Sequence, residues 1–313
     1  MQPAAFLHLG GTPSILVKHC TFMRLHPLFI LILVVFSAVQ ATAQITVVDD
    51  LGRTVSLARP ACRIVSLAPS LTETLFALGA GDAVAGVTSY CTYPEEATRK
   101  PQVGGMINPS LEAIVALRPD LIVLSMEGNV REDFDRLTAL GAQVFVSNPR
   151  SLADIQRSVT QLGALAGRSE AAAELAAELV AGEAEVARGA SGRKVGTLLI
   201  VSIRPLIVVG GHTFLNELLE AAGATNLAAR FPSTYPTLSR EAVVSEDPDL
   251  LLVTSEVVAD TRLLFEDFPE WASLKAAQHS RIYRVDADLV SRPGPRAVEA
   301  LRMIARLVRG GTP

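Results

Sequence analysis

From Arg63 onward, short unbroken apolar runs alternate with amphipathic stretches. Arg63–Leu67, Asp82–Val87, Asp120–Leu124 and Gln143–Val146 read as strands. Leu71–Leu78, Pro109–Leu117 and Arg131–Leu140 read as helices, the first and last stopped by Gly79 and Gly141. Ser70 and Glu73 have capping-box spacing at the start of the first helix. Strands that are apolar throughout are buried on both faces, which predicts a parallel sheet covered by helices. Before this alternation, Ile45–Leu57 reads as a short hairpin around Asp49-Asp50-Leu51-Gly52.

Ser151 opens a helix to about Ala166, broken at Gly167. Ser169 opens another, rich in Ala, Glu and Leu and free of proline, to about Arg188. Some 20 residues at a rise of ~1.5 Å make a stiff rod of ~30 Å, the diameter of a small domain. The alternation then restarts. Val195–Val201, Asp249–Val253 and Arg281–Val285 are expected strands. Thr213–Ala222, Ser239–Val244 and Trp271–Ala276 are expected helices. Pro293-Gly294-Pro295 launches a last helix whose buried stripe is Val298, Leu301, Ala305 and Val308. Its arginines, with Arg296 as the exception, are expected on a solvated face.

The two halves match. Ser110-Leu111-Glu112-Ala113-Ile114 through Pro119-Asp120-Leu121 resembles Ser239-Arg240-Glu241-Ala242-Val243 through Pro248-Asp249-Leu250, 129 residues later. A recurring helix–Pro-Asp–strand unit implies two similar lobes about a pseudo-two-fold axis. Glu112 and Glu241 then form a matched pair, one per lobe, each in the first turn of its helix. The fold expected is α/β: two doubly wound, Rossmann-like lobes joined by a long rigid helix. Its expected parts are an upstream extension and signal peptide (1–43), an N-terminal lobe (44–168), a linker helix (169–190) and a C-terminal lobe (191–313).

Met23-Arg24, the apolar run Leu28–Phe36 and Ala41-Thr42-Ala43 form the charged, apolar and cleavage regions of a secretory signal peptide, cut before Gln44. The run falls far short of the ~20 residues that span a bilayer. No cysteine ends it, so a soluble, exported protein without a lipid anchor is expected. Composition narrows the function. With 313 residues, 49% hydrophobic, 19% charged and a net charge of −4, the chain is globular and acidic. It has no basic run to grip nucleic acid. Only His212 and His279 remain after Gln44, which excludes a three-histidine metal site. Neither a G-x-x-x-x-G-K-[ST] loop nor a G-x-S-x-G elbow occurs. Cys62 precedes the first strand and Cys91 follows the second, ~20 Å apart along a parallel sheet. A disulfide needs Cα atoms within ~7 Å, so two free thiols are expected.

Several strings occur together: Arg63-Ile64-Val65-Ser66-Leu67-Ala68-Pro69-Ser70-Leu71-Thr72-Glu73, Gly86-Val87-Thr88-Ser89-Tyr90-Cys91-Thr92-Tyr93-Pro94, the Glu112 and Glu241 units, and Arg292-Pro293-Gly294-Pro295-Arg296. The chain thereby resembles the helical-backbone class of periplasmic binding proteins for metal chelates, in particular those that serve cobalamin importers. The resemblance implies a monomeric, non-enzymatic substrate-binding component without a cofactor. It would hold a corrinoid such as cobalamin in the interlobe cleft. Tyr90 and Tyr235 match pocket aromatics, and Asp288 and Arg292 match a polar pair that meets corrin amides. Met106 and Met126 stand where some members carry tryptophan. Glu112 and Glu241 would dock on arginines of a permease dimer in the membrane. A ferric siderophore or haem is the alternative cargo, with Tyr90, Tyr93, Tyr235 or His212 as an axial ligand. A two-lobe cleft enzyme, such as a nucleotide-sugar transferase, is the remote alternative.

Overall fold

A computed structural model describes residues 44–189 and 194–312. The expected signal peptide falls within residues 1–43 and lies outside the described residues. The segment 190–193, which contains the expected start of the second lobe, does so too.

The hairpin β1 (Ile45–Val48) and β2 (Thr54–Leu57) pairs antiparallel, as its alternation predicts. The first lobe follows with β3 (Ile64–Ser66), α1 (Pro69–Ala77), β4 (Val84–Val87), α2 (Leu111–Ala116), β5 (Leu121–Ser125), α3 (Arg131–Ala139) and β6 (Val144–Ser147). Its sheet is wholly parallel, in the order β4-β3-β5-β6. All residues of β3, β5 and β6 are buried, which is why these strands lack a polar face. Asp82 lies in a 3-10 turn ahead of β4, so that strand begins later than its sequence suggests.

Two helices lead to the second lobe. The first, α4 (Leu152–Leu165), opens with Ser151 and Asp154 in a reciprocal capping box. The second, α5 (Ser169–Arg188), is the expected rod, 20 residues long. It does not stand free. Leu179, Gly182 and Val186 are buried along it.

The second lobe comprises β7 (Val195–Ile203), β8 (Leu206–Val208), α6 (Phe214–Ala221), β9 (Ala224–Asn226), α7 (Arg240–Glu246), β10 (Leu250–Thr254), the short α8 (Leu264–Asp267) and α9 (Lys275–Gln278), β11 (Ile282–Val285), α10 (Ala287–Ser291) and α11 (Ala297–Val308). The sheet runs β11-β10-β7-β8, with β9 also on β7. β8 is antiparallel, so this sheet is mixed where a parallel one was expected. Both β8 and β9 are three residues long, too short to show a period in sequence. The expected stripe of α11 is buried in full. One apolar core joins α1 and α4 of the first half to α5, α6, α10 and α11 of the second. The two lobes are thus welded on one side and open on the other.

The internal repeat recurs in the backbone at the start of each helix and at the turn that follows it. Ser110 and Ser239 cap α2 and α7, accepting from the amides of Ala113 and Ala242. Arg118 and Asp247, again 129 apart, both adopt left-handed backbone with φ of 47° and 43°. The turn ends each helix and aims the following Pro-Asp into a strand. There Asp120 accepts from the amide of Arg63 before β3, and Asp249 from that of Gly196 in β7.

The expected capping box of α1 is not formed. Ala68 is the N-cap and makes no side-chain bond, while Pro69 occupies the first turn. Proline at the first helical position has φ preset for a helix and removes one of the unpaired first-turn amides. The Glu73 carboxylate is used elsewhere.

Candidate functional site

In doubly wound sheets the loops beyond the strand carboxyl ends are free to gather around a ligand. Here they enclose a cavity of about 500 Å³ between the lobes. Tyr90 follows β4, Met126 follows β5, Arg150 follows β6, Glu256 follows β10 and Asp288 follows β11; all five line it. Met106, Tyr235 and Arg292 line it as well. All six residues expected to meet cargo therefore face one space.

Tyr90, Met126 and Tyr235 expose 58%, 46% and 42% of their surface, high values for large apolar groups. Met106 is half-buried against Gly128, where a Cβ would lie 1.9 Å from the methionine Cε. Asn129 donates to the carbonyls of Leu67 and Met106 and accepts from the amide of Ser125, at 3.0, 2.8 and 2.8 Å. It thus ties three cavity-wall segments together. The polar walls hold three carboxylates (Glu127, Glu256, Asp288) and two guanidiniums (Arg150, Arg292). Both guanidiniums are engaged. Arg150 lies 3.4 Å from Glu127 and donates to the carbonyl of His212 in the other lobe at 2.8 Å. Arg292 is more deeply committed: its side chain is 11% exposed and reaches Glu73, Asp288, Thr92 and the carbonyl of Tyr90. Arg296, which sequence left open, donates twice to the same Glu73 and lies over the Tyr93 ring at 4.1 Å. The carboxylate of Glu73 holds the Arg296 pKa above its ordinary value.

Desolvation in the cleft, then the nearby Glu127 carboxylate, raise the Tyr235 phenol above the usual tyrosine pKa, with Arg150 pulling the other way. Tyr93 lies apart from this cavity, on a neighbouring one of about 650 Å³ shared with Phe76, Lys100 and Arg296. The imidazole of His212 is not among the cavity-lining groups; this residue contributes its carbonyl to Arg150. Glu127, Arg150 and Glu256 escaped the sequence reading. Their signal was position alone, two or three residues past an apolar strand.

Glu112 and Glu241 are exposed, one in the first turn of α2 and one in that of α7. Amide donation from its own backbone, then the Ser239 hydroxyl, lower the Glu241 pKa, so it stays ionised in mild acid. Ser110 contacts Glu112 in the corresponding way, at 3.2 Å. Cys62 is exposed and Cys91 is buried against the Thr72 and Thr88 hydroxyls; both are free.

The profile of the periplasmic binding protein family matches residues 64–289, from β3 to α10. The chain belongs to this family. This binding protein is 32% identical to the uncharacterized ABC transporter substrate-binding lipoprotein YvrC of Bacillus subtilis, over 84% of this chain and 85% of that one. Its fold matches the periplasmic vitamin B12 binding protein BtuF of Vibrio cholerae with a TM-score of 0.74, at 26% identity over 80% and 97% of the two chains. The apo periplasmic heme-binding protein RhuT from Roseiflexus matches with a TM-score of 0.72, at 29% identity over 79% and 98%. The chain is thus a substrate-binding component of an ABC importer, acting outside the cytoplasmic membrane, and not an enzyme. The lobes are Rossmann-like, as the alternation predicts. The expectation of no lipid anchor concerns residues 1–43, outside the described residues, and the Bacillus relative is named a lipoprotein. Among the described residues, no helix is long and apolar enough to cross a membrane.

Proposed function

We propose that the interlobe cavity captures a corrinoid, cobalamin foremost, and that the protein, as a monomer, carries it to a permease dimer. The observation that carries this reading is the wall chemistry. Two tyrosine rings and a methionine are exposed to the cavity, while both arginines on its wall are already paired. A corrin is broad, nearly uncharged and fringed with amides. Exposed rings offer it stacking area, and Asp288 with Glu256 offers acceptors to its amide hydrogens. Likeness to the vitamin B12 binding protein of Vibrio supports the same cargo.

Haem is the second reading, supported by likeness to RhuT. Haem brings two propionates, which would meet three carboxylates and no unpaired cation among the described cavity residues. Tyr90 and Tyr235 both line the cavity and are the phenols that could ligate haem iron. Anionic ferric siderophores meet the same charge conflict. Titration of cyanocobalamin against haemin, followed by absorbance and calorimetry, tests this. Saturable binding of the corrinoid at one site per chain is expected. Tight haemin binding with a tyrosinate-type spectrum, and none of cyanocobalamin, would overturn the proposal.

Glu112 and Glu241 serve in this reading as handles for the two halves of the permease. Two exposed acids held at fixed separation give registration and salt-dependent attraction. The repeated capping serines keep both carboxylates at the tips of equivalent helices.

A further inference from the structure

The most deeply buried charge between the lobes does not line the cargo cavity. Glu73 lies on α1 in the first lobe, with its side chain 1% exposed. Its Oε1 accepts from Arg292 at 3.0 Å and from Arg296 at 2.8 Å, and its Oε2 accepts from Arg296 at 2.9 Å. Both arginines belong to the second lobe, on either side of Pro293-Gly294-Pro295. Arg292 also donates to the Tyr90 carbonyl and the Thr92 hydroxyl, each at 3.2 Å, across the same boundary. Within its own lobe it holds Asp288 at 2.6 Å. Two acids and two arginines thus form one charge-balanced network, buried at Glu73 and Arg292 and half open to solvent at Asp288. The backbone is close here too: a Cβ on Gly294 would stand 3.2 Å from the Ser70 carbonyl.

We propose that Glu73 is a positioning residue, which clasps Arg292 and Arg296 of the second lobe to the first and so sets the width of the cargo cavity before cargo arrives. A buried carboxylate bonded on both oxygens leaves its partners one low-energy arrangement. Opening the lobes by a hinge motion would strip three charge-assisted bonds from a desolvated anion. The cleft therefore stays near its binding width when empty, and Asp288 is kept on the cavity wall by the arginine that Glu73 orients. The apolar weld through α4, α5 and α11 is the back of the frame; the Glu73 clasp is the polar tie nearer the cargo. The inference goes beyond the corrinoid reading, since it holds for any occupant of the cavity.

The test measures lobe separation without ligand. Spin labels on Ile107→Cys and Leu263→Cys, both exposed positions, one in each lobe, are placed in a Cys62→Ser background. Electron–electron resonance should give one narrow distance for the parent protein. Glu73→Gln keeps the side-chain shape but removes the charge, and should broaden and lengthen that distribution. Arg296→Gln, which spares the carboxylate and is less buried, should do the same to a smaller extent and decides the matter if Glu73→Gln does not fold. With cyanocobalamin as probe, a fall of the competent population to about one tenth weakens apparent affinity about tenfold, through slower association. A purely structural role would lower the melting temperature and leave the distance unchanged in the folded protein; that result in either variant overturns the proposal. If the parent protein does not bind cyanocobalamin, the corrinoid reading falls, while the distances still judge the clasp.

Discussion

Among single residues, Tyr235 carries a pH signature of its place in the cleft. Its phenol is pushed above the ordinary tyrosine pKa by desolvation and by Glu127. The neutral phenol offers the cleft a ring for stacking and a hydroxyl for hydrogen bonding. The linkage has a definite sign: the folded protein keeps this proton at a pH where the unfolded chain has lost it. Stability from this group is thus present up to the unfolded value near 10 and is lost as pH rises above it. Absorbance titration near 295 nm should show a late-ionising tyrosine that disappears in Tyr235→Phe. If that variant also keeps its cyanocobalamin affinity while Tyr235→Ala loses about tenfold, the ring rather than the hydroxyl carries the contact. That loss would correspond to ~1.4 kcal/mol.

The family resemblance pointed to part of the cavity wall. Tyr90 stands just past β4 and Tyr235 in the loop between β9 and α7, each in a Pro- and Ser-bearing string where a core aromatic would not be placed. Glu73 misled, because serine and glutamate three apart have capping-box spacing whether or not the box forms. Pro69 settles the helix start locally, and the carboxylate is left for partners some 220 positions away. Such a pairing has no local pattern to betray it.

Secondary-structure elements obey stricter packing limits. The rod α5 touches the last helix through Gly182, where a Cβ would lie 2.1 Å from Cγ1 of Val298. Glycine inside a helix costs up to ~1 kcal/mol against alanine, yet here it permits the helices to approach. Gly182→Ala should therefore destabilise the protein rather than stabilise it, by about 1–3 kcal/mol from overpacking. Urea unfolding checks the sign, and Val298→Ala in the same chain should recover part of the loss. Were Gly182→Ala to raise stability, the close α5–α11 approach would be wrong. The matched caps of α2 and α7 give a second element-level expectation. Ser110→Ala and Ser239→Ala should each cost ~1 kcal/mol, being equivalent N-caps.

The long α-helices and the buried strands were legible in the chain because each carries its own period, apolar run or stop signal. β8, β9 and the short α10 were not. Three to five residues cannot display a period, and they form only because β7 and the neighbouring helices offer an edge to pair with or a surface to cover.

For the molecule as a whole, the quantity of interest is the geometry of two lobes presenting one cavity and two exposed acids. If Glu112 and Glu241 are permease handles, replacing both by alanine should leave cyanocobalamin affinity unchanged while reducing uptake into vesicles that carry the cognate importer. The residual uptake should be less salt-sensitive than that of the parent, because the attraction between exposed charges is screened within ~10 Å at 0.1 M salt. Loss of ligand binding in the double variant would assign these acids to the lobe structure instead.

The amino-acid sequence by itself determined the two-lobe α/β plan, the rod between the lobes and the 129-residue symmetry that pairs Glu112 with Glu241. Each of these rests on local periodicity or on recurrence along the chain. Only the tertiary structure decided what the charged groups near the cavity are for. It engaged Arg150 and Arg292 with protein partners, left Glu256 among the carboxylates of the wall, and drew Glu73 to two arginines of the opposite lobe. The physical reason is that a charge chooses its partner by distance and desolvation in the folded state, and neither is written in the order of residues.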